Sequence, residues 1–564
     1  MNEWLQCKLL TVHFFRRFFD NDLLSPGADP HAVVIRALAT LATPGMMIAF
    51  YLMPRYVNLN GAPPAILELA RRSDQMLFMT LSTTIMGFVA ALQWEALFPD
   101  RADYIILTPL PVRQRTAFAA KVASLIAFLA MFTLAINLMP SVLFPLIAPQ
   151  GKGATMWTII RFALANATAL ACASAFIFLA SMVIQGVLMN GLPERWFRIA
   201  SGYARWLLMG TMVTFLLLYP RATQLLKPGQ TLNVLRWYPP AWFVALSDHW
   251  MGQHNILVDQ LAGRAVQALE ASFLAAAILY VIAYRRHVSQ SLESLQSESQ
   301  AGSLIEWLFA RLLTSHPIEL GVSMFTFNTL FRSRAHKLIF EAYMGVAAAL
   351  VVWELVSLFA RRSYSVALQP IPELLCIPLV LSFILLSAMR VVYSRPSEVR
   401  ANLLFRVSEN EDSWRGLEAA GRVMIFIGIV PVTLPLIPLH AWLWGWRIAA
   451  IHFAYCVVLG LILRGILLLN FRKVPFTCTM APAGPNGVVF GTSYFFFFTV
   501  YAYSMAKLEY WMFPDPWRMV KIFAVLATVL VAIERVRGKL LEQEHHLLFE
   551  EDLDPAVRTL GLGQ

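Results

Sequence analysis

The chain has 564 residues, of which 58% are hydrophobic and 14% are charged, and its formal net charge is +11. A typical soluble domain has about 25% charged residues, so this composition excludes an ordinary soluble enzyme and indicates a polytopic α-helical membrane protein. The basic residues lie mostly in short segments between apolar stretches, where such residues orient membrane proteins. No RNP-type or zinc-finger spacing accompanies them, so nucleic acid is not an expected partner.

The N-terminal segment predicts an amphipathic helix that lies on the membrane surface. Its apolar residues recur at helical spacing, and they are Trp4, Leu5, Leu9, Val12 and Phe15. Charged residues interrupt the segment, so it does not have the pattern of a signal peptide. The five cysteines form no CxxC pair and predict neither a disulfide framework nor a zinc site.

Twelve apolar stretches with the length of a membrane span, about 20 residues, follow along the chain, and eleven or thirteen spans are the alternatives. The predicted spans are 33–53, 75–97, 120–147, 162–189, 200–219, 265–284, 338–359, 373–392, 422–443, 447–469, 488–507 and 518–535. Prolines at 431–438 predict a kink. With a cytoplasmic N-terminus, the inner segments contain about twice as many Lys and Arg residues as the outer ones. This bias predicts cytoplasmic termini in a plasma or inner membrane.

The predicted spans divide into two six-helix halves, which cover residues 1–284 and 338–564. The segment 285–337 between them is a predicted cytoplasmic linker that contains a second amphipathic helix. Each half has a long charged loop between its second and third spans, at 99–116 and 395–421. Transporters are often built from two such repeats around a central path.

The first charged loop predicts a short, rigid helix at the cytoplasmic surface. Asp100 is a favourable N-cap, and Asp103 has the position of a capping-box acid. The helix would begin at Arg101, expose Tyr104 for docking, and end before the prolines that include Pro111. Such a helix can transmit force from a cytoplasmic partner. An ordinary capped loop at the membrane surface is the alternative interpretation.

Two segments of the first half resemble a known family. The sequence Phe98-Pro-Asp-Arg-Ala-Asp, followed by Leu107-Thr-Pro-Leu-Pro-Val and Phe118-Ala-Ala-Lys121, resembles the coupling loop of ABC-2-type permeases, the membrane subunits of ABC exporters. The sequence Tyr238-Pro-Pro-Ala-Trp-Phe243 resembles an element often found before the sixth span of that family. The chain differs in its Asp-Arg-Ala-Asp cluster, where many members have a Glu-Arg-Glu-like cluster followed by Gly-Thr. The second half lacks the Leu-Pro step.

This resemblance implies an ABC exporter permease with two fused six-span units and an unidentified substrate. ATP and Mg would bind to separate cytoplasmic ABC ATPase subunits, two copies of them, and this chain would have no cofactor, metal or catalytic residue of its own. The sequence has no G-x-x-x-x-G-K-[ST] motif, the phosphate-binding loop of ATPases, which agrees with ATP binding to separate subunits. The residues that the resemblance assigns to ATPase coupling are Asp100, Arg101, Asp103, Tyr104, Leu110, Pro111 and Lys121. Those that it assigns to an outer re-entrant element are Pro239, Pro240, Trp242 and Phe243.

Two alternatives remain open at this point. A secondary transporter would need a broken helix and paired acidic residues at mid-membrane, and an enzyme acting on lipid or glycan would need acidic or histidine residues clustered at one interface. Glu354 is the most notable ionisable residue within a predicted span. Asp248, His249, His254 and Asp259 have no diagnostic metal-ligand spacing, which favours a solvated loop.

Overall fold

The computed structural model of the protein describes twelve stretches of the chain. They are residues 3–19, 30–59, 62–98, 112–148, 155–224, 235–290, 316–361, 370–395, 414–469, 471, 473–476 and 487–543. These residues are almost entirely helical and contain no β-strand, which confirms the predicted all-α class. The chain forms two compact units, unit 1 (Met1–Gln296) and unit 2 (Ser297–Gln564). The division between them falls within the predicted linker 285–337.

The described part of unit 1 contains six long apolar helices, the amphipathic helix α1 and one short buried helix. In chain order the helices are α1 (Glu3–Arg17), α2 (Pro30–Asn58), α3 (Pro64–Leu92), α4 (Gln114–Ile147), α5 (Met156–Gly191), α6 (Glu194–Gln224), α7 (Pro239–Trp250) and α8 (Ile256–Gln290). Helix α3 lies at the centre of the unit, since 72% of its most apolar stretch is buried, against 11% for α2.

Helix α1 confirms the helix predicted at the N-terminus. It packs against α4, with Phe14 buried between the two helices. Leu5, Leu9 and Val12 lie on the opposite side and are 40%, 53% and 42% exposed, respectively. This exposed apolar face is the one that a helix on a membrane surface would turn towards lipid.

Helix α7 is too short to cross a bilayer. Its 12 residues span about 18 Å, whereas the hydrocarbon core is about 30 Å thick. It nevertheless lies among α3, α5 and α8, and most of its residues are buried. Helix α7 is therefore enclosed by the longer helices of unit 1.

Unit 2 has the same kind of helices but contains one interrupted span. Its helices are α9 (Pro317–Arg332), α10 (Arg334–Arg361), α11 (Pro372–Tyr393), α12 (Trp414–Gly428), α13 (Val430–Thr433), α14 (Leu436–Trp444), α15 (Trp446–Leu468), α16 (Gly487–Met512) and α17 (Pro516–Gln543). Helices α12 to α14 follow one another along one apolar stretch. Pro431 and Pro435 lie at the breaks, because proline has no amide hydrogen to donate, and the predicted kink is confirmed.

Ten helical segments among the described residues are long and apolar enough to cross a membrane. Six are in unit 1, namely α2 to α6 and α8, and four are in unit 2, namely α10, α11, the α12–α14 stretch and α15. The chain is therefore a multi-pass helical membrane protein. The last two predicted spans, 488–507 and 518–535, are helical within α16 and α17 but are not among the ten.

Candidate functional site

The predicted coupling loop lies mainly in residues 99–111, which are outside the described residues. Six assigned residues fall in this segment and stay predictions: Asp100, Arg101, Asp103, Tyr104, Leu110 and Pro111. The residues on both sides of the segment are described, and they show which helices hold its two ends.

The residues just before the segment are hydrogen-bonded to the C-terminal end of α1 and to α6. The Gln93 side-chain amide donates to the carbonyl oxygen of Phe18, just after α1, over 3.0 Å. The indole nitrogen of Trp94 donates to the hydroxyl of Ser201 on α6 over 2.7 Å. Trp94 is fully buried. The end of α3 is thus tied to both α1 and α6.

Aromatic contacts tie both sides of the segment to α8. The rings of Phe98, before the segment, and Phe118, after it, lie 5.3 and 5.7 Å from the ring of Tyr280. Phe118 also lies edge-on to Tyr284, whose hydroxyl donates to the carbonyl oxygen of Gln114 over 3.0 Å. The two ends of residues 99–111 therefore meet on one helix, α8.

Lys121 is the one assigned coupling residue that lies among the described residues. It is buried near the start of α4, and its Nζ lies 5.0 and 5.4 Å from the ring centroids of Phe14 and Phe18. A desolvated cation over aromatic rings is worth ~2 kcal/mol. This contact joins α4 to α1 close to the second end of the segment.

The residues assigned to the re-entrant element form the first turns of α7. Pro239 and Pro240 begin the helix, where a missing amide hydrogen costs nothing. The indole nitrogen of Trp242 donates to the carbonyl oxygen of Arg236 over 3.2 Å. Phe243 is fully buried, and its ring lies 5.7 Å from that of Phe176 on α5. The element is thus a packed helix within unit 1.

The other end of α7 carries a buried carboxylate between two arginines of α3. Asp248 is only 2% exposed, and its oxygens lie 3.4 Å from Arg71 and 2.8 Å from Arg72. Burial raises the pKa of this carboxyl, and the charges of Arg72 and Arg71 act in the opposite direction. Arg72 also donates to the Gln253 side-chain oxygen over 2.8 Å. The interpretation of this region as a solvated loop is therefore wrong for Asp248.

Further polar side chains line α3 and hold it to α2, α5 and α7. Gln75 donates to both Asn166 of α5 and Ser247 of α7, over 3.1 and 2.8 Å. Asp74 accepts a 2.7 Å hydrogen bond from the Tyr56 hydroxyl of α2 and also pairs with an arginine of that helix. The hydrophobic effect gives little driving force between helices in lipid, so such bonds, together with close packing, help to specify which helices meet.

Unit 2 contains a separate buried polar group at the junction of α14, α15 and α16. The His452 Nδ1 lies 2.7 Å from an oxygen of Glu509, and both side chains are almost completely buried. Cys456 and His440 adjoin His452, and the ring of His440 stacks on Trp444 with centroids 4.6 Å apart. The second oxygen of Glu509 has no hydrogen-bond partner among the described residues.

Three further ionisable residues within predicted spans are Arg464, Glu341 and Glu354. Arg464 pairs with Glu534 of α17, and Glu341 lies 3.8 Å from Lys337 one turn earlier. Glu354 is half-buried on α10. These residues do not form one site.

Comparisons of the chain with protein-family models, with curated proteins and with solved structures gave no match. The membership of the ABC-2 permease family therefore stays a prediction from the two sequence segments that resemble it. The geometry of the described residues is the remaining guide to function.

Proposed function

We propose that the chain is the membrane permease of an ABC-type exporter, with two six-span units in one polypeptide. ATP is hydrolysed, with Mg, by separate cytoplasmic ATPase subunits present in two copies. The chain lies in the plasma or inner membrane with both termini in the cytoplasm. A path between these apolar helices suits lipids, drugs, peptides and polymers equally well as substrates.

One observation carries this proposal: both ends of residues 99–111 are tied to the helices around them. Gln93 connects the first end to α1, and Trp94 connects it to α6. Phe98 and Phe118 meet on α8, while Lys121 joins the second end to α1. A force on this segment would therefore act on α1, α4, α6 and α8 together, which is what coupling to an ATPase requires.

The position of helix α7 also supports the proposal, because α7 contacts α8, the helix on which both ends of residues 99–111 meet. It joins α8 through a short turn and is enclosed by α3, α5 and α8. A displacement of α8 would reach α7 directly, and α7 would move within the bundle. In this mechanism the enclosed helix gates the solute path of unit 1.

The test is a double substitution in the segment, Asp100→Ala with Arg101→Ala, in the chain co-expressed with its ATPase. Loss of an N-cap costs ~1 kcal/mol, too little to unfold a bundle of this size. We expect normal expression and membrane insertion together with loss of partner-stimulated ATP hydrolysis or of ATPase association.

The matched control is Glu194→Ala with Arg198→Ala. These residues form an exposed ion pair at the start of α6, 3.4 Å apart, on the same predicted side of the membrane. The control removes one acid and one base as well, and we expect it to keep full coupled activity. Full coupled activity of the segment variant, or equal loss in both variants, would contradict the proposal.

A second candidate function, an ion-gradient-driven secondary transporter, is favoured by a different observation. Unit 2 combines the interrupted span α12–α14 with the buried His452–Glu509 pair. Broken helices and buried ionisable pairs are the features by which such transporters bind coupling ions.

Purification separates the two candidates. An exporter permease isolates with an ATPase that carries a Walker motif, and its turnover survives the collapse of ion gradients. A secondary transporter isolates without an ATPase, and its flux disappears both when the proton gradient is collapsed and in the Glu509→Gln variant.

A further inference from the structure

The corner between α7 and α8 brings three potential metal ligands together. His249 lies in the last turn of α7, His254 in the connecting turn, and Asp259 in the first turn of α8. One ligand atom from each lies within 4.8 Å of the other two. The Nδ1 atoms of the two histidines lie 2.9 and 3.3 Å from the same carboxylate oxygen of Asp259.

The backbone fixes this arrangement through a tight reversal. Gly252 adopts φ +83°, a left-handed conformation that glycine accepts without strain. Its amide donates to the carbonyl oxygen of His249 over 2.9 Å, and the Gln253 amide donates to that of Asp248 over 3.0 Å. On α5, Arg161 donates to the carbonyl oxygen of Trp250 over 3.0 Å. The turn is thus stabilised by its own backbone hydrogen bonds and by the hydrogen bond from Arg161 of α5.

Arg72 of α3 contacts the residue that immediately precedes each of the two histidines in the sequence. Its Nε lies 2.8 Å from Asp248, which precedes His249, and its Nη2 donates to Gln253, which precedes His254. These contacts fix the residues that immediately precede the two histidines. The chain segments that carry the two imidazoles are therefore held by contacts outside the cluster itself.

We propose that His249, His254 and Asp259 bind a divalent transition-metal ion of the Zn²⁺ class. Two imidazole nitrogens and one carboxylate oxygen form a donor set that suits Zn²⁺ and its neighbours. Tetrahedral Zn²⁺ with bonds of about 2.0–2.1 Å places its ligand atoms roughly 3.4 Å apart. The two histidine–aspartate distances, 2.9 and 3.3 Å, are already close to that value. The three ligand atoms now lie within 4.8 Å of one another, so side-chain rotations that move the widest pair about 1.4 Å closer complete the site. The side chains are 41%, 62% and 46% exposed, which leaves the fourth position to water.

The bound ion joins the end of α7 to the start of α8. It restrains the angle between a buried short helix and a predicted span. This inference does not depend on the proposed export function, because it concerns only the donor set and the turn that presents it.

The test is a Zn²⁺ titration of the full-length chain in detergent, purified through a tag without histidine and stripped with EDTA. We expect one saturable site per chain, weakened about 100-fold or more in His249→Ala and in Asp259→Asn, because even outer partners of metal sites are worth ~10–100-fold. Co²⁺ should give the absorption bands of four-coordinate cobalt in the unsubstituted chain and not in these variants.

The matched control is His13→Ala, which removes an exposed histidine of α1. Size-exclusion chromatography establishes that each variant is folded, as expected for exposed positions. Zn²⁺ binding no tighter in the unsubstituted chain than in His249→Ala would overturn the proposal, as would equal weakening in His13→Ala. The three residues would then form only an imidazole–carboxylate hydrogen-bond cluster.

Discussion

Removal of the Asp248 carboxylate should destabilise unit 1. Asp248→Ala leaves the buried guanidinium of Arg71 without its carboxylate, beside the ring of Phe162 at 5.2 Å. Loss of one partner from a buried ion pair costs ~3–5 kcal/mol. Arg72 keeps Glu68 at 2.9 Å, so we expect the lower end, about 3 kcal/mol.

The assay is unfolding of the purified chain in detergent–SDS mixtures, followed by tryptophan fluorescence. Asp515→Asn is the matched control, because Asp515 is 40% exposed and its substitution should change the unfolding free energy by less than about 0.5 kcal/mol. The combined variant Arg71→Met with Asp248→Leu removes both charges, and we expect it to recover part of the lost stability.

The result that would refute this reasoning is a small effect. A loss below about 1 kcal/mol in Asp248→Ala would mean that the buried pair is not what holds α7 to α3. A combined variant less stable than Asp248→Ala would show that the contacts of Asp248 with the two arginines stabilise unit 1 by more than the neutralisation of buried charge.

Three further substitutions test other contacts by the same unfolding assay. Phe243→Ala should cost about 3–5 kcal/mol, because the ring is fully buried in the core of unit 1. Gly45→Ala should cost about 1–3 kcal/mol, since its new methyl group would lie 2.7 Å from the rigid ring of Pro140. His452→Phe should cost about 1–3 kcal/mol by removing the hydrogen-bond partner of buried Glu509. A loss below about 0.5 kcal/mol in any of them would contradict the contact it tests.

Much of the fold could be predicted from the sequence because lipid imposes a simple rule. A helix that crosses a bilayer needs a long apolar stretch, so each predicted span except 422–443, which is divided among α12, α13 and α14, lies within or largely overlaps one helix of the structure. The kink near Pro431 was predictable for a similar reason, since proline cannot donate the helical hydrogen bond. The boundaries were less predictable, and α3 begins at Pro64 rather than near 75.

That displaced boundary explains why the polar network escaped prediction. Charged residues lower the apparent hydropathy of a segment, so the sequence predicts that Arg71, Arg72 and Asp74 precede the span, whereas they lie inside α3. Glu509 likewise lies just beyond the predicted span 488–507, although α16 continues to Met512. Their partners lie far away in sequence, and the pairing that permits burial depends on tertiary contacts that no local pattern encodes.

The cluster of His249, His254 and Asp259 is a second feature that could not be predicted from local sequence patterns. Two histidines and an aspartate at irregular spacing match no ligand motif, so the sequence favoured a solvated loop. The structure brings them together because Gly252 reverses the chain. The Pro239–Phe243 element, in contrast, was recognisable, since Pro-Pro at a helix start and a buried aromatic residue are local features.

The most direct test of the central claim, that an ATPase subunit docks on residues 99–111, is site-specific photo-crosslinking. A photoreactive phenylalanine analogue replaces Tyr104 in the chain co-expressed with its ATPase, and replaces the 84% exposed Trp237, on the opposite predicted side, as the control. The account predicts a cross-link to the ATPase from position 104 that changes in yield with ATP, and none from position 237. No cross-link from position 104, or equal yields from both positions, would contradict it.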